Sequence, residues 1–329
     1  MTIDVHTHYY PRPYMQLVKK LAEDTSPGAE GARMTMNNAQ MQDDPVMTGA
    51  MDERLRLMDK AGIDTQILSF SSPNIWYLDA NTRANIVRTY NDSVAETIQS
   101  YPGRFLLFAN VPLPFVDKAI EEVAYAYDTL GAVGVCTCTH IADKPIDDPQ
   151  FEPFYAAVNA RKGIIFFHPD GFPARNLVDN YGMAWGIGVL FDDTIVLVRL
   201  IYSGLMERYP DITWIVPHLG GTTPFVAKRL DFLWEMDPST HKQLAQAPST
   251  YLHHPNLYID SINPQQSALA LAHAVFGVDH LVFGSDFPYA SRKDLSFGVT
   301  QVHSLGLQAS ETEQILSGNI TTRLHATAK

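Results

Sequence analysis

The sequence predicts a (β/α)₈ barrel, and three observations predict it. Short β-rich runs alternate with longer amphipathic stretches, the alternation counts to eight, and single polar residues recur at the same end of otherwise apolar strands. The strands expected in order are Thr2–Val5, Thr65–Phe70, Phe105–Val111, Val133–Cys138, Ile164–Phe167, Ile212–Val216, Leu257–Ile259 and His280–Phe283. Between them, Met51–Ala61, Ala80–Ser100, Val116–Leu130, Phe151–Ala160, Thr194–Tyr209 and Pro264–Phe276 place apolar residues at helical spacing. Helix-ending glycines stand directly before the next strand, as in Lys60-Ala61-Gly62 before Ile63 and Leu130-Gly131 before Ala132.

Two stretches break the alternation. Residues 11–50 are dominated by Pro, Gly, Asn, Gln, Met and Asp and show no long periodic segment, so they are expected to form an insertion over the barrel mouth. A second insertion, near residues 170–193, follows the fifth strand. Both leave from C-terminal strand ends, where barrel active sites are built. The 329 residues exceed the ~250 of a plain barrel by enough for such insertions and not for a second domain, so residues 1–329 are expected to be one domain.

Composition narrows the function classes. Hydrophobic residues make up 46% and charged residues 18%, ample for a large core. The 24 basic and 36 acidic residues give a net charge of −12, and the basic ones are scattered, which excludes the cationic stripe a nucleic-acid backbone requires. No run approaches the ~20 apolar residues of a membrane span, and the N-terminus lacks a basic region followed by an apolar one, so a cytoplasmic location with no membrane partner is expected. Cys136 and Cys138, two apart on a strand, share a face without disulfide geometry and are expected to be reduced core residues.

The chemistry is concentrated at strand ends. His6 and His8 end the first strand and, being two apart, can point to one side of it. His168 ends the fifth, His218 the sixth, and Asp286 follows the eighth in Gly284-Ser285-Asp286. Any one of these would more often be a hydrogen-bonded structural residue; four strands directing such groups to one mouth make a metal site the better account. Nitrogen and oxygen donors suit zinc, with manganese admitted by the carboxylate.

These residues also carry a resemblance. Ile3-Asp4-Val5-His6-Thr7-His8, Arg56-Leu57-Met58-Asp59-Lys60-Ala61-Gly62-Ile63, Phe167-His168-Pro169, Pro217-His218-Leu219-Gly220-Gly221 and Gly284-Ser285-Asp286-Phe287-Pro288 resemble the amidohydrolase superfamily, amidohydrolase-2 type. The branch they resemble is that of 2-amino-3-carboxymuconate-6-semialdehyde decarboxylase and related aromatic-acid decarboxylases, over nearly the whole chain. The resemblance implies that His6, His8, His168 and Asp286 ligate the metal and that His218 hydrogen-bonds a metal-bound water. Binuclear members carry a carbamylated lysine at the end of the fourth strand, where this chain has Cys136-Thr137-Cys138-Thr139-His140. One divalent ion, with no organic cofactor, is therefore implied, and His140 is a supporting residue.

For substrate, the resemblance matches Arg229 to an arginine that reaches the neighbouring subunit's active site and pairs with a substrate carboxylate, which implies a homodimer acting on a small anionic molecule. Asp170 stands where the type enzyme has tryptophan, and Arg33 is the candidate for a second carboxylate clamp. Trp185 and Phe287, embedded in the motif loops, are candidates to wall a pocket for a flat ring. The expected reaction is decarboxylation of a small aromatic, salicylate-like or muconate-type acid, with Asp286 or a His218-linked water protonating the carbon that bears the carboxylate. The alternatives are a hydrolase or hydratase that uses a metal-activated water on a lactone, amide, C–C or C=C bond, and a barrel that merely holds a metal.

Overall fold

The structure, a computed structural model, describes residues 1–23, 45–48, 51–71, 74, 76, 78–171, 177, 178, 180–237, 239, 244–290 and 294–327. Eight strands run parallel in sequential order: β1 Ile3–His8, β2 Thr65–Ser69, β3 Phe105–Asn110, β4 Gly134–Cys138, β5 Ile164–His168, β6 Thr213–Val216, β7 Leu257–Asp260 and β8 Leu281–Val282. The amide of Val5 donates to the Phe283 carbonyl at 2.9 Å and that of His8 to Phe287 at 2.7 Å, joining β1 to the β8 segment. The sheet thus forms the (β/α)₈ barrel that the alternation predicts.

Period-two alternation divides the apolar residues between two cores. Val5, Ile67, Phe108, Phe166, Ile215 and Val282 pack inside the barrel. Leu68, Leu107, Phe167 and Trp214 face outward against the helices. These helices are α1 Arg12–Ala22, α2 Met51–Ala61, α3 Ala80–Gln99, α4 Val116–Asp128, α5 Glu152–Asn159, α6 Val189–Tyr202, α7 Thr223–Met236 and α8 Gln266–Phe276, with α9 Ser296–His303, α10 Ala309–Glu313 and α11 Asn319–Thr327 following β8. Each fully buried Leu, Ile or Phe contributes roughly 1.5–3 kcal/mol. Cys136 and Cys138 are buried and free, as their spacing implies. Among the described residues no helix is long and apolar enough to cross a membrane.

A bulge in β1 aims the first two histidines. Asp4 pairs with Gln66 and Thr7 with Leu68, so β1 advances three residues while β2 advances two. The extra residue reverses the alternation. Ile3 and Val5 face the barrel interior below the bulge, and the even-numbered His6 and His8 face it above.

Two expectations need correction. The stretch 11–50, expected to lack periodic structure, opens with the 11-residue helix α1 and contains a turn of helix at Pro45–Thr48. Tyr14 and Val18 of α1 are buried, with the Tyr14 ring 5.6 Å from Tyr90 of α3. That start therefore belongs to the helical layer, and residues 24–44 lie outside the described residues. The helix expected at Thr194–Tyr209 begins earlier, through a π-helical turn at Ala184–Gly188 that runs into α6. It ends at Tyr202; Gly204 takes φ 70°, and Leu205–Arg208 is a separate turn. Gly186 and Gly188 give the start a loop-like composition, yet the apolar and acidic pattern from Val189 onward is already helical.

Candidate metal centre

Two strand ends and one loop bring four groups together. His6, His8, His168 and Asp286 place one donor atom each within 4.8 Å of one another. His6 Nε2 lies 3.0 Å from His8 Nε2, and Asp286 Oδ1 lies 3.3 and 3.2 Å from them. Gly284 makes this approach possible: a Cβ there would lie 2.9 Å from the Cβ atoms of both His6 and Asp260. Asp286 itself takes φ 50° and His218 φ 50°. Positive φ at non-glycine residues costs on the order of 1–3 kcal/mol and persists where surrounding contacts hold it.

Each histidine is oriented through its far nitrogen. His6 Nδ1 lies 2.5 Å from Asp260 Oδ2. Ser69 Oγ donates to the Thr7 carbonyl at 2.9 Å, so it accepts from His8 Nδ1 at 3.2 Å. His168 Nδ1 donates to the Pro169 carbonyl at 2.9 Å. All three rings thereby turn Nε2 toward the cluster, the arrangement in which a partner fixes tautomer and direction. Asp260 couples two functions, since its other oxygen accepts the His218 amide at 2.8 Å.

The electrostatics fit a cation. Burial drives His168 well below the usual imidazole range and His8 to about 4, so both offer lone pairs at neutral pH. Burial also opposes charge on His6, but Asp260 and Asp286 raise it to about 9. Burial pushes Asp286 upward, yet His6, His218 and His8 hold it well below the ordinary carboxylate range. Two imidazole nitrogens 3.0 Å apart beside an ionised carboxylate require positive charge. The donor set and its tautomers fit one divalent ion.

His218 borders this group. Its Nδ1 lies 2.9 Å from Asp193 Oδ2, and its Nε2 lies 3.8 Å from Asp286 Oδ2. Burial disfavours its cation, but Asp193 and Asp286 on opposite sides hold its pKa well above the usual value. Gly221 lets α6 carry Asp193 this close. At φ 64°, a Cβ there would meet the Leu190 carbonyl oxygen at 2.1 Å.

The remaining sequence candidates are placed differently. Phe287, expected against a ligand, is fully buried, with the Arg54 guanidinium 4.7 Å above its ring; it anchors the loop. Asp170 is 2% exposed and accepts the Asn74 amide at 2.9 Å and Trp76 Nε1 at 2.7 Å, so both its oxygens hold the segment after β2. Trp185 lies on the π turn, 58% exposed. Arg229 is exposed on α7. Arg33 lies outside the described residues. His140 Nδ1 lies 3.3 Å from Asp192 Oδ1, a supporting position.

Sequence reasoning missed Asp260 and Asp193. Asp260 carries the signal used for the others, a lone polar residue ending the apolar run Leu257-Tyr258-Ile259. Asp193 carries almost none, because an acidic pair inside a helix is ordinarily a solvated face.

The amidohydrolase family model (Amidohydro_2) matches residues 3–322. The chain is 30% identical to gamma-resorcylate decarboxylase of Polaromonas sp. strain JS666 over 251 residues, 72% of this chain and 77% of that protein. It is 21% identical to 2-amino-3-carboxymuconate-6-semialdehyde decarboxylase of Dictyostelium discoideum over 296 residues, 88% of this chain and 82% of that one. Among solved structures it is similar to a dihydroxybenzoic acid decarboxylase from Polaromonas sp. JS666, with bound manganese and the inhibitor 2-nitroresorcinol. The TM-score is 0.82 at 23% identity, covering 98% of this chain and 96% of that one. With the family match spanning almost its full length, and with the metal-type donors at its barrel mouth, the chain belongs to the amidohydrolase family.

Proposed function

We propose that the protein is a metal-dependent decarboxylase of a small aromatic, salicylate-like or muconate-type acid, working without an organic cofactor. The observation that carries this reading is the pairing of three buried imidazoles and one carboxylate with a separate His218 at their edge, held at Nδ1 by Asp193. Its relatives by sequence are aromatic and muconate-type acid decarboxylases.

We assign His6, His8, His168 and Asp286 as ligands. A divalent ion there supplies Lewis acidity toward substrate oxygens; the donors suit zinc, and the carboxylate also admits manganese, the ion in the dihydroxybenzoic acid decarboxylase. The chain's own residues handle the proton. Asp193 fixes His218 through Nδ1, leaving Nε2–H directed at Asp286 Oδ2. The neighbouring imidazoles hold Asp286 below the ordinary carboxylate range, and Asp193 and Asp286 hold His218 above the ordinary imidazole range, which favours His218 as the group that carries the proton. We assign His218 as the donor, directly or along the Asp286 edge, to the carbon bearing the carboxylate. The electron pair of the breaking C–C bond returns to the substrate's conjugated π system, and neutral CO₂ leaves.

We further propose a homodimer in which Arg229 supplies the anion clamp to the partner's site. Phe225, Arg229, Phe232 and Met236 recur at i, i+4, i+7 and i+11 along α7, all exposed, with Phe225 at 84%. Exposed Phe225, Phe232 and Met236 on one helix face favour an interface, and the guanidinium set among them suits bidentate recognition of a carboxylate.

The test is to load the protein with zinc or manganese and incubate it with salicylate-like and muconate-like acids while following CO₂ and product mass. Release of CO₂ with loss of its mass from the substrate is expected; one product, or two fragments together, heavier than the substrate by one water would assign hydration or hydrolysis instead. In the same assay His218→Ala should keep its metal and lose roughly 10²-fold or more in rate, and loss of metal by that variant would make His218 a ligand.

A further inference from the structure

The strand–helix layer of a barrel is ordinarily apolar, yet one sector of this one is polar and fully buried. Asp4 on β1 and Gln66 on β2 are register partners with no solvent exposure. Gln66 Nε2 donates to Asp4 Oδ2 at 3.1 Å. Above Gln66 lies Arg54, in the first turn of α2 and also without exposure. Its Nη1 donates to Gln66 Oε1 at 3.0 Å and its Nη2 to the His8 carbonyl at 2.6 Å.

At the other end, Asp4 reaches the loop that carries Asp286. Asp4 Oδ1 accepts the Ser285 amide at 2.9 Å, and Asp4 Oδ2 accepts the Ser285 hydroxyl at 2.6 Å. Asp4 Oδ1 also lies 3.3 Å from the His6 amide, beside the bulge in β1. The Arg54 guanidinium then covers Phe287, the residue after Asp286, at 4.7 Å. One chain of contacts therefore grips the backbone of His8, the bulge before His6, and both neighbours of Asp286. A buried cation and a buried carboxylate separated by a neutral amide add little to stability relative to an apolar filling of the same volume. What such a chain supplies is direction, because each hydrogen bond has one acceptable geometry.

We infer that Arg54, Gln66 and Asp4 form a positioning chain that sets the distance between the His6–His8 strand end and the Asp286 loop, and thereby the affinity and geometry of the metal centre. They reach His6 and His8 through backbone atoms and the Asp286 loop through Ser285 and Phe287. The inference rests on the metal-centre assignment made above.

The hydrogen-bond polarity along the chain can be reversed, and that is the test. In Asp4→Asn an amide NH₂ faces the Gln66 NH₂; in Gln66→Glu two carboxylates face each other. In the double variant, the carboxylate introduced at position 66 can pair with Arg54 and accept from the amide introduced at position 4, whose carbonyl oxygen still accepts the Ser285 amide. Manganese affinity, read as free Mn²⁺ by electron paramagnetic resonance, should fall roughly 10- to 100-fold in each single variant and recover to within several-fold of the parent in the double. Circular dichroism and the melting temperature of the ion-free protein accompany each measurement. If a single variant does not fold, Ser285→Ala, which removes one hydroxyl from the same chain, should still lower manganese affinity about 10-fold with an unchanged ion-free spectrum.

Single variants, or Ser285→Ala, within twofold of the parent overturn the positioning chain. A double variant no better than the weaker single does the same. A parent protein that binds no manganese or zinc overturns the metal-centre assignment itself, a result separable from the others because the parent is measured first.

Discussion

Among the four donors proposed for the metal, His6 is the imidazole whose neighbours favour its charged form. Burial opposes that charge, but Asp260 and Asp286 raise its pKa to about 9, whereas His8 sits near 4 and His168 well below the usual range. An imidazole near 6.5 when unfolded and near 9 when folded contributes stability that is fully present below pH 6.5 and is lost as the pH rises through 9. His218, also raised, acts with the same sign. The melting temperature in chelator should therefore fall between about pH 7 and about pH 9.5, with His6 contributing up to about 3 kcal/mol. Saturating manganese should remove or reverse the fall, because ion uptake displaces the His6 proton and becomes more favourable as the pH rises. A flat curve in chelator would show that His6 is neutral without the ion. At this scale the sequence exposed the residues whose chemistry is unusual for their position: a histidine or aspartate closing an apolar strand is conspicuous. The aspartates that orient them depend on contacts distant in the chain, His6 with Asp260 and His218 with Asp193, which spacing does not encode.

Among the elements, β1 and α6 contribute most to the geometry of the centre, and both were incompletely legible. The pattern Ile3, Val5 followed by His6, His8 conflicts with a regular strand, because odd and even residues cannot share a face; the bulge between Asp4 and Thr7 resolves it, and the conflict was itself the signal. The start of α6 was hidden by Gly186 and Gly188 in the turn before it, although that start supplies Asp192 and Asp193, both buried. Its placement depends on Gly221, which follows His218 and packs against Leu190 and Thr194. Gly221→Ala should separate α6 from the His218 loop, through a Cβ directed at a backbone oxygen and a φ of 64° that an alanine adopts with strain. The expected result is a loss of roughly 1–3 kcal/mol in stability, together with a fall of at least about 10-fold in kcat as His218 loses its orienting carboxylate. Metal content should be unchanged, because none of the four donors lies on α6. Unchanged kcat in a folded Gly221→Ala protein would show that the Asp193 contact is dispensable.

For the whole molecule, the barrel was legible because its parallel strands are near-continuous apolar runs whose order alone fixes the topology; the helical spacing of Phe225, Phe232 and Met236 reads in the sequence like any core-facing stripe. The apolar stripe on α7 becomes visible only once the other face of that helix, with Ala227 and Leu230 buried, is seen against the barrel. Arg229 lies within the stripe, and among the described residues it makes no hydrogen bond or ion pair, so the single chain gives it no work. If it clamps the carboxylate of a substrate bound to the neighbouring subunit, each active site takes its metal ligands from one chain and its arginine from the other. His168→Ala and Arg229→Ala, each inactive alone, should then complement when mixed under conditions that exchange subunits. The heterodimer holds one site with neither lesion, and a statistical mixture has half its dimers as heterodimers, so about one quarter of the parental sites are expected to work if subunits exchange freely. Subunit exchange is verified by mass-tagging one variant. Recovery near that fraction supports action in trans; exchange without recovery would return Arg229 to the surface and leave the clamp to be sought in residues 11–50, beginning with Arg33.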